Sequence, residues 1–194
     1  MYRSITMRIE PNSSQRKYID ENIRIHHYVY NSMITAVRIY FSNNGRLPSQ
    51  NTLNRLCTKM WSKNPWMHTI YQNTMNMTVM RVLAAFKSCN PEIKQRNNTS
   101  WDGSVSGKLV LKSPRFKKLA RSNCFGYLAN NTFSIVNYVN SVGKECRGLK
   151  MGKMDGILRC YNQSTPINGI PKTVIITRKS VGSHYEYFAT VQFE

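Results

Sequence analysis

The pattern of apolar and polar positions divides the chain into a short strand, a helical stretch and a series of strands. Residues 5–9 alternate apolar and polar side chains, which predicts a strand. Pro11-Asn12-Ser13-Ser14 then offers a helix N-cap, and apolar residues recur afterwards at three- to four-residue spacing. We expect four helices: the first from about residue 13, the second over residues 27–41, the third from Ser49 and the fourth, as the longest, over residues 69–88.

Apolar stripes on the last two helices indicate which residues face a core. Leu53, Leu56 and Met60 share a face of the third helix. On the fourth helix the inward stripe consists of Met75, Val79, Val82, Leu83 and Phe86.

The pattern changes after residue 89. Residues 90–107 hold a proline, two glycines and a run of polar residues, which is typical of a surface loop or linker. Short strands are predicted at residues 133–138, 149–151, 157–161, 172–178 and 185–193. The last two form a hairpin around Gly182-Ser183. Because a lone strand is not stable, residues 5–9 must pair with these later strands.

This order predicts an α+β fold, with a small β-barrel interrupted by a helical lobe of about four helices. We assign residues 2–10 and 113–194 to the discontinuous barrel and residues 11–89 to the helical lobe, whose first two helices resemble a helix-turn-helix. Residues 90–112 form a flexible basic linker. We expect the last strand to be an unpaired edge, which promotes aggregation in the absence of nucleic acid.

Charge changes the picture most. The chain has 28 Lys and Arg against 9 Asp and Glu, a net charge of +19 in 194 residues. Nucleic acid is the natural partner, since cations that neutralise phosphates release condensed counterions. The carboxylates are scattered, whereas a metal-dependent nuclease needs them clustered. We therefore expect binding without catalysis, no catalytic residue and no cofactor. The alternative of an active nuclease would require folding to assemble a dispersed site from Asp102, Glu145, Asp155 and Glu186.

Other functional classes find little support. The five cysteines form no C-x-x-C pair, which indicates free thiols and no metal site. His26 and His27 are adjacent on a predicted helix and point in different directions, so they do not indicate a metal site either. With no apolar run of about 20 residues and no signal peptide at the N-terminus, we expect a cytoplasmic protein without a membrane partner.

The densest basic tract is the best candidate for binding. Its cations surround Phe116, which could stack on a base or pack into the core. Gln72 and Asn76 are four residues apart on the fourth predicted helix and suit recognition of base edges. The alternative is that both are polar residues on an exposed helix face. The cations of the tract are Lys108, Lys112, Arg115, Lys117, Lys118 and Arg121.

Several stretches together resemble one family. The four segments are MRIEPNSSQ at residues 7–15, HYVYN at 27–31, SPRFKK at 113–118, and the hairpin that begins PKTVIITR at 171–178 and ends YEYFATVQFE at 185–194. In these segments, and in their order and spacing, the chain is similar to the TnpB (OrfB) proteins of bacterial and archaeal insertion sequences. Asn64-Pro-Trp66, which leads into the last predicted helix, fits the family as well.

The resemblance implies a fold and a function. It implies a wedge-like, oligonucleotide-binding-type β-barrel interrupted by a helical recognition lobe. Full-length relatives, also described as transposases, are RNA-guided DNA endonucleases that bind a guide RNA and double-stranded DNA beside the target. Their RuvC-like nuclease domain and zinc ribbon would begin past Glu194. The resemblance thus implies the binding part without the nuclease centre, and places Gln72 and Asn76 near the target-adjacent DNA.

Three interpretations stay open. The chain is a TnpB-like binding fragment, either a remnant or a functional binder that works with a nuclease half in trans. Alternatively it is a stand-alone helix-turn-helix repressor that binds DNA through residues 1–60. The third is the nuclease with a dispersed acidic site.

Overall fold

The computed structural model describes residues 3–91, 110–128, 132–161 and 169–194. Helices and strands are mixed, as expected: a curled, antiparallel seven-stranded sheet forms a half-barrel beside three α-helices. The helices are α1 (Ser13–Asn44), α2 (Gln50–Lys63) and α3 (Asn76–Cys89). The strands are β1 (Arg3–Glu10), β2 (Cys124–Leu128), β3 (Phe133–Val139), β4 (Glu145–Met151), β5 (Leu158–Cys160), β6 (Pro171–Val181) and β7 (His184–Phe193).

The first strand joins the late strands, as predicted. The strand order is β2-β6-β7-β1-β5-β4-β3, so β1 lies in the middle of the sheet. It pairs with β7 from Arg3↔Phe193 to Ile9↔Tyr187 and with β5 on its other side. The predicted hairpin is confirmed, because β6 and β7 pair up to Val181↔His184 around Gly182, which has a left-handed φ of 57°.

The expectation that the last strand is an unpaired edge is wrong. β7 is bonded to β6 on one side and to β1 on the other, and the two outer strands are β2 and β3. β1 returns from the start of the chain to occupy the edge that β7 would otherwise expose. The predicted aggregation through β7 therefore loses its physical basis.

One continuous helix replaces the first two predicted helices. α1 begins with a capping box, in which Asn12 accepts from the Gln15 backbone N–H and the Gln15 side chain accepts from the Asn12 N–H. It runs for 32 residues without a glycine or proline to interrupt it and ends at Gly45, whose φ is 66°. The predicted helix-turn-helix start is therefore wrong, and so is the lobe of four helices.

The remaining helices follow the predicted breaks with shifted boundaries. Ser49 caps α2 as expected, but Leu56 is exposed and Cys57 takes the buried position instead. Pro65 opens a 3-10 helix, Pro65–Thr69, and a second one, Gln72–Met75, precedes α3. α3 is thus shorter than predicted and is not the longest helix. The stripe predicted for it is buried throughout: Met75, Val79, Val82, Leu83 and Phe86.

Two apolar cores meet along α1. Ile19 and Ile23, in the first part of the helix, pack with the sheet, whereas residues from Ile25 onward pack with α2 and α3. On the sheet side of α1, the fully buried Asn22 donates to the Tyr18 carbonyl (2.8 Å) and accepts from the Tyr127 hydroxyl (2.5 Å) of β2. α1 thereby fixes the helices against the sheet. None of the helices in the described ranges combines the length and apolar character needed to cross a membrane.

Candidate nucleic-acid interface

Two asparagines hold the basic segment, which we define as residues 110–121. Asn90, just past α3, donates to the Lys112 carbonyl (2.7 Å) and accepts from the Lys112 N–H (2.8 Å). Asn31 of α1 makes the same pair of bonds with Lys117, at 3.0 and 2.9 Å. Each side-chain amide thus satisfies both backbone groups of one residue, as a neighbouring strand would. The segment is held by its backbone, which leaves its cationic side chains available.

Further contacts dock the segment on α1. His27 Nε2 donates to the Lys117 carbonyl at 2.9 Å, and Arg38 Nε donates to Ser113 Oγ at 2.7 Å. Leu111 packs on the helical core and Pro114 is buried. Apolar residues therefore anchor the segment, while Lys112, Arg115, Phe116, Lys117, Lys118 and Arg121 are all exposed.

Phe116 lies on the surface and not in the core. Its side chain is 49% exposed, and the Arg38 guanidinium carbon lies 4.8 Å from the ring centroid. A cation over the face of an aromatic ring is favourable. An exposed ring among cations is also the arrangement that stacks on nucleic-acid bases. The alternative that Phe116 packs inward is wrong.

A cleft of about 510 Å³ lies where the segment meets α1, α3 and β2. The ion pairs of the described residues lie elsewhere and join Arg8 to Glu186, Lys172 to Glu194 and Arg178 to Asp20. None of the described carboxylates therefore lies in an ion pair with a cation of the cleft. The cleft lining includes Arg81, Arg115, Lys117, Lys118 and Arg121 and, within the described residues, neither Asp nor Glu.

The surroundings of Lys117 in the cleft change the pKa of its ammonium group. Its Nζ lies 4.0 Å from the centroid of the Tyr30 ring. Two effects lower the pKa of Lys117, first the desolvation of its ammonium group and then the nearby Arg81 charge, and Cys124 partly offsets them. Both effects disfavour a cation, and both would be relieved by an anion. The cleft is therefore suited to a phosphate.

His26 forms part of the inner wall of the cleft. The residue is 4% exposed, its Nδ1 is hydrogen-bonded to Thr78 Oγ1 (2.7 Å), and its ring stacks on Phe125 at 5.7 Å between centroids. Burial, and then the Arg81 charge, lower its pKa to about 3. The imidazole is accordingly neutral at physiological pH. Its buried Nε2 has no hydrogen-bond partner within the described part of the chain.

Gln72 and Asn76 do not join this surface. Gln72 lies in the 3-10 helix before α3, and its Nε2 donates to Thr58 Oγ1 at 2.6 Å. Asn76 is the first residue of α3, and its buried Oδ1 has no partner among the described residues. The prediction that one helix carries both is wrong, since α3 starts later than expected. Lys108 lies outside the described residues.

Comparison with family models and with curated proteins gives no match. The TnpB resemblance therefore rests on the motif residues alone.

Residues important for this surface were not identified from the sequence. An asparagine inside a long helix is unfavourable, and this signal marks Asn31, together with Asn22. Arg38 follows Asn31 by seven residues and so shares its face of α1. No local signal marks Asn90, Arg81 or the inward position of His26, because their partners lie far away in sequence.

The described carboxylates do not assemble a metal site. Among the described residues no group of three or more His, Cys, Asp or Glu side chains is placed to hold one ion. Glu145 begins β4, Asp155 lies between β4 and β5, and Glu186 on β7 pairs with Arg8 at 3.3 Å. Asp102 lies outside the described residues. No disulfide joins any of the five cysteines, all of which lie in the described ranges, and burial raises the pKa of Cys57 to about 12.

Removing both asparagine clamps tests whether they organise the segment. In the double variant Asn31→Ala, Asn90→Ala, the segment loses four hydrogen bonds, each contributing about 1 kcal/mol. We expect trypsin to cut at Arg115–Lys118 much faster and the affinity for an RNA hairpin to fall about tenfold, because binding must then order the segment. Asn44→Ala, which removes one exposed side-chain bond at the end of α1, is the control. Unchanged cleavage and affinity would contradict the role of the clamps.

Proposed function

We propose that this chain is a nucleic-acid-binding protein of the TnpB type, which binds structured guide RNA and double-stranded DNA through the basic segment and its cleft. One observation carries the proposal. A segment rich in exposed cations is held by its backbone on α1, beside a cleft whose described lining has five cations and no carboxylate. Such a surface binds phosphates regardless of sequence.

Contacts between the family-like motifs support the TnpB assignment. His27 and Asn31 of the HYVYN stretch bond to the backbone of Lys117 in the SPRFKK stretch, although the two are almost ninety residues apart. The motif at residues 7–15 supplies the capping box of α1 and, through β1, pairs with the hairpin motif on β7. The four motifs thus meet in two pairs, and α1 connects one pair to the other. On this proposal the curled sheet is the wedge-like, oligonucleotide-binding-type barrel, and α1–α3 form the recognition lobe.

The other two interpretations have weaker support. A helix-turn-helix repressor needs a turn near residues 24–27, where α1 is continuous. A nuclease with a dispersed site needs Glu145, Asp155 and Glu186 together, and Glu186 is engaged by Arg8. We therefore propose binding without cleavage. A nuclease half that acts in trans remains part of the proposal as a partner.

The salt dependence of binding tests the proposed function. We expect the affinity for an RNA hairpin to fall roughly a thousandfold between 50 and 200 mM KCl if about six phosphates are contacted. The measurement is fluorescence anisotropy with a labelled hairpin and, in parallel, a DNA duplex. Incubation with Mg²⁺ should leave both intact. A flat salt response or Mg²⁺-dependent cleavage would contradict the proposal.

A further inference from the structure

We propose that the cleft between the basic segment, α1, α3 and β2 receives a single unstacked nucleotide of the bound strand, with its phosphate at the cationic rim and its base against His26. This inference rests on the proposed function and names the part of the nucleic acid that the cleft takes. It is drawn from the shape, the charge distribution and one buried nitrogen of the cleft.

The size of the cleft fits one small ligand. Its volume of about 510 Å³ lies within the range of pockets that hold a single small molecule. A duplex would be confined to the rim, where it could reach the exposed cations. A base that leaves its stack could enter the cleft.

Charge is arranged from the rim inward. Arg115, Lys118 and Arg121 are exposed at the rim, where a phosphate stays partly hydrated. Farther in, Tyr30 is 8% exposed, and His26 stacks on Phe125. A nucleotide has the same polarity, with an anionic phosphate at one end and a flat, hydrogen-bonding ring at the other.

The nitrogen of His26 without a partner identifies the inner end. Buried polar side-chain atoms nearly always have a hydrogen-bond partner, and an exception calls for an explanation. Thr78 is bonded to Nδ1, and no described residue bonds to Nε2, so Nε2 is the ring nitrogen that can bond to a ligand. Because the Thr78 hydroxyl can either donate or accept, Nε2 can be the complementary acceptor or donor. Base edges present both kinds of group.

The experiment separates the base from the phosphate backbone. Two labelled RNA hairpins share the same stem and phosphates, but the loop of one is abasic. Binding is measured by anisotropy for the wild type, for His26→Phe, which keeps a ring to stack on Phe125, and for His26→Gln, which restores a hydrogen-bonding group. For the wild type we expect about tenfold tighter binding of the loop that carries bases. We expect His26→Phe to abolish this preference and His26→Gln to retain part of it.

Each outcome has a distinct meaning. If neither hairpin binds the wild type, the proposed function fails. If the wild type binds both equally, the nucleotide pocket fails while the proposed function stands, and this comparison requires no variant to fold. A preference that His26→Phe leaves intact would also overturn the pocket. Uridine and adenosine monophosphates are the last arm: micromolar competition by either would show a site for a free nucleotide and overturn its assignment to a strand.

Discussion

Replacing Arg115, Lys117, Lys118 and Arg121 together with glutamine is expected to lower the affinity for an RNA hairpin roughly a thousandfold at 100 mM salt. Each phosphate that the protein neutralises releases about 0.9 of a counterion on binding. At 100 mM salt, relative to 1 M, this release raises the affinity nearly tenfold, and a variant without the contact loses that gain. The four cations line one cleft. The negative slope of log affinity against log salt should become less steep, by about 3 to 4. Anisotropy titrations at several KCl concentrations measure both quantities.

A control with the same change in charge makes the test specific. Arg46, Arg55, Lys59 and Lys63 are exposed on or next to α2, away from the cleft lining. Their replacement with glutamine removes the same four charges, so it weakens only the long-range attraction of the whole chain. We expect a loss of a few-fold. If the two variants lose affinity equally, the basic segment is not a site but one part of a diffuse positive field, and the proposed function needs another surface.

The elements that could be predicted from sequence are those set by local chemistry. Alternation identified the β6–β7 hairpin, and Asn12 and Ser49 identified helix starts, because caps act through neighbouring backbone groups. β2 was not predicted, since it has no alternation and contains Gly126. A Cβ at that position would lie 2.3 Å from Met77 Sδ on α3 and 3.1 Å from the backbone oxygen of Val174, so tertiary packing favours the glycine. The continuity of α1 was misjudged because polar residues near His26-His27 look like a boundary but face α3 and the basic segment.

Only part of the candidate site could likewise be predicted from the sequence. Its cations and Phe116 could be named from composition, since charge density is visible in the sequence. Their arrangement could not, because Asn31 meets Lys117 across 86 residues and Asn90 meets Lys112 across 22 residues. The cleft exists only through these long-range bonds. His26, for which the sequence indicated only a place on a helix and no metal site, forms the buried inner wall of the cleft.

Loss of stability in mild acid is the second large effect expected, and His26 is its source. The folded protein holds the pKa of His26 at about 3, against 6.5 for the unfolded chain. Above pH 6.5 the imidazole is neutral in both states and has no effect. As the pH falls from 6.5 towards 3, only the unfolded state takes up the proton, so the free energy of unfolding decreases by up to about 1.4 kcal/mol per pH unit. By pH 5 the loss is about 2 kcal/mol.

The surroundings of His26 explain why folding opposes its protonation. The charged groups that share its cleft, Arg81 on α3 and Arg115, Lys117, Lys118 and Arg121 of the basic segment, are all cations. Phe125 covers one face of the ring, and the described lining offers no carboxylate to stabilise an imidazolium. Protonation would therefore add a buried charge among like charges.

Urea unfolding of the wild type and of His26→Phe at pH 7.5, 6.5, 5.5 and 5.0 measures the effect. The other histidines and the carboxylates are present in both proteins, so their contributions cancel in the difference. The free energy of unfolding of His26→Phe minus that of the wild type should increase by about 2 kcal/mol as the pH falls from 7.5 to 5.0. Parallel curves would mean that the folded protein lets His26 ionise, and the inner end of the cleft would then be wetter and less selective for a base than its 4% exposure indicates.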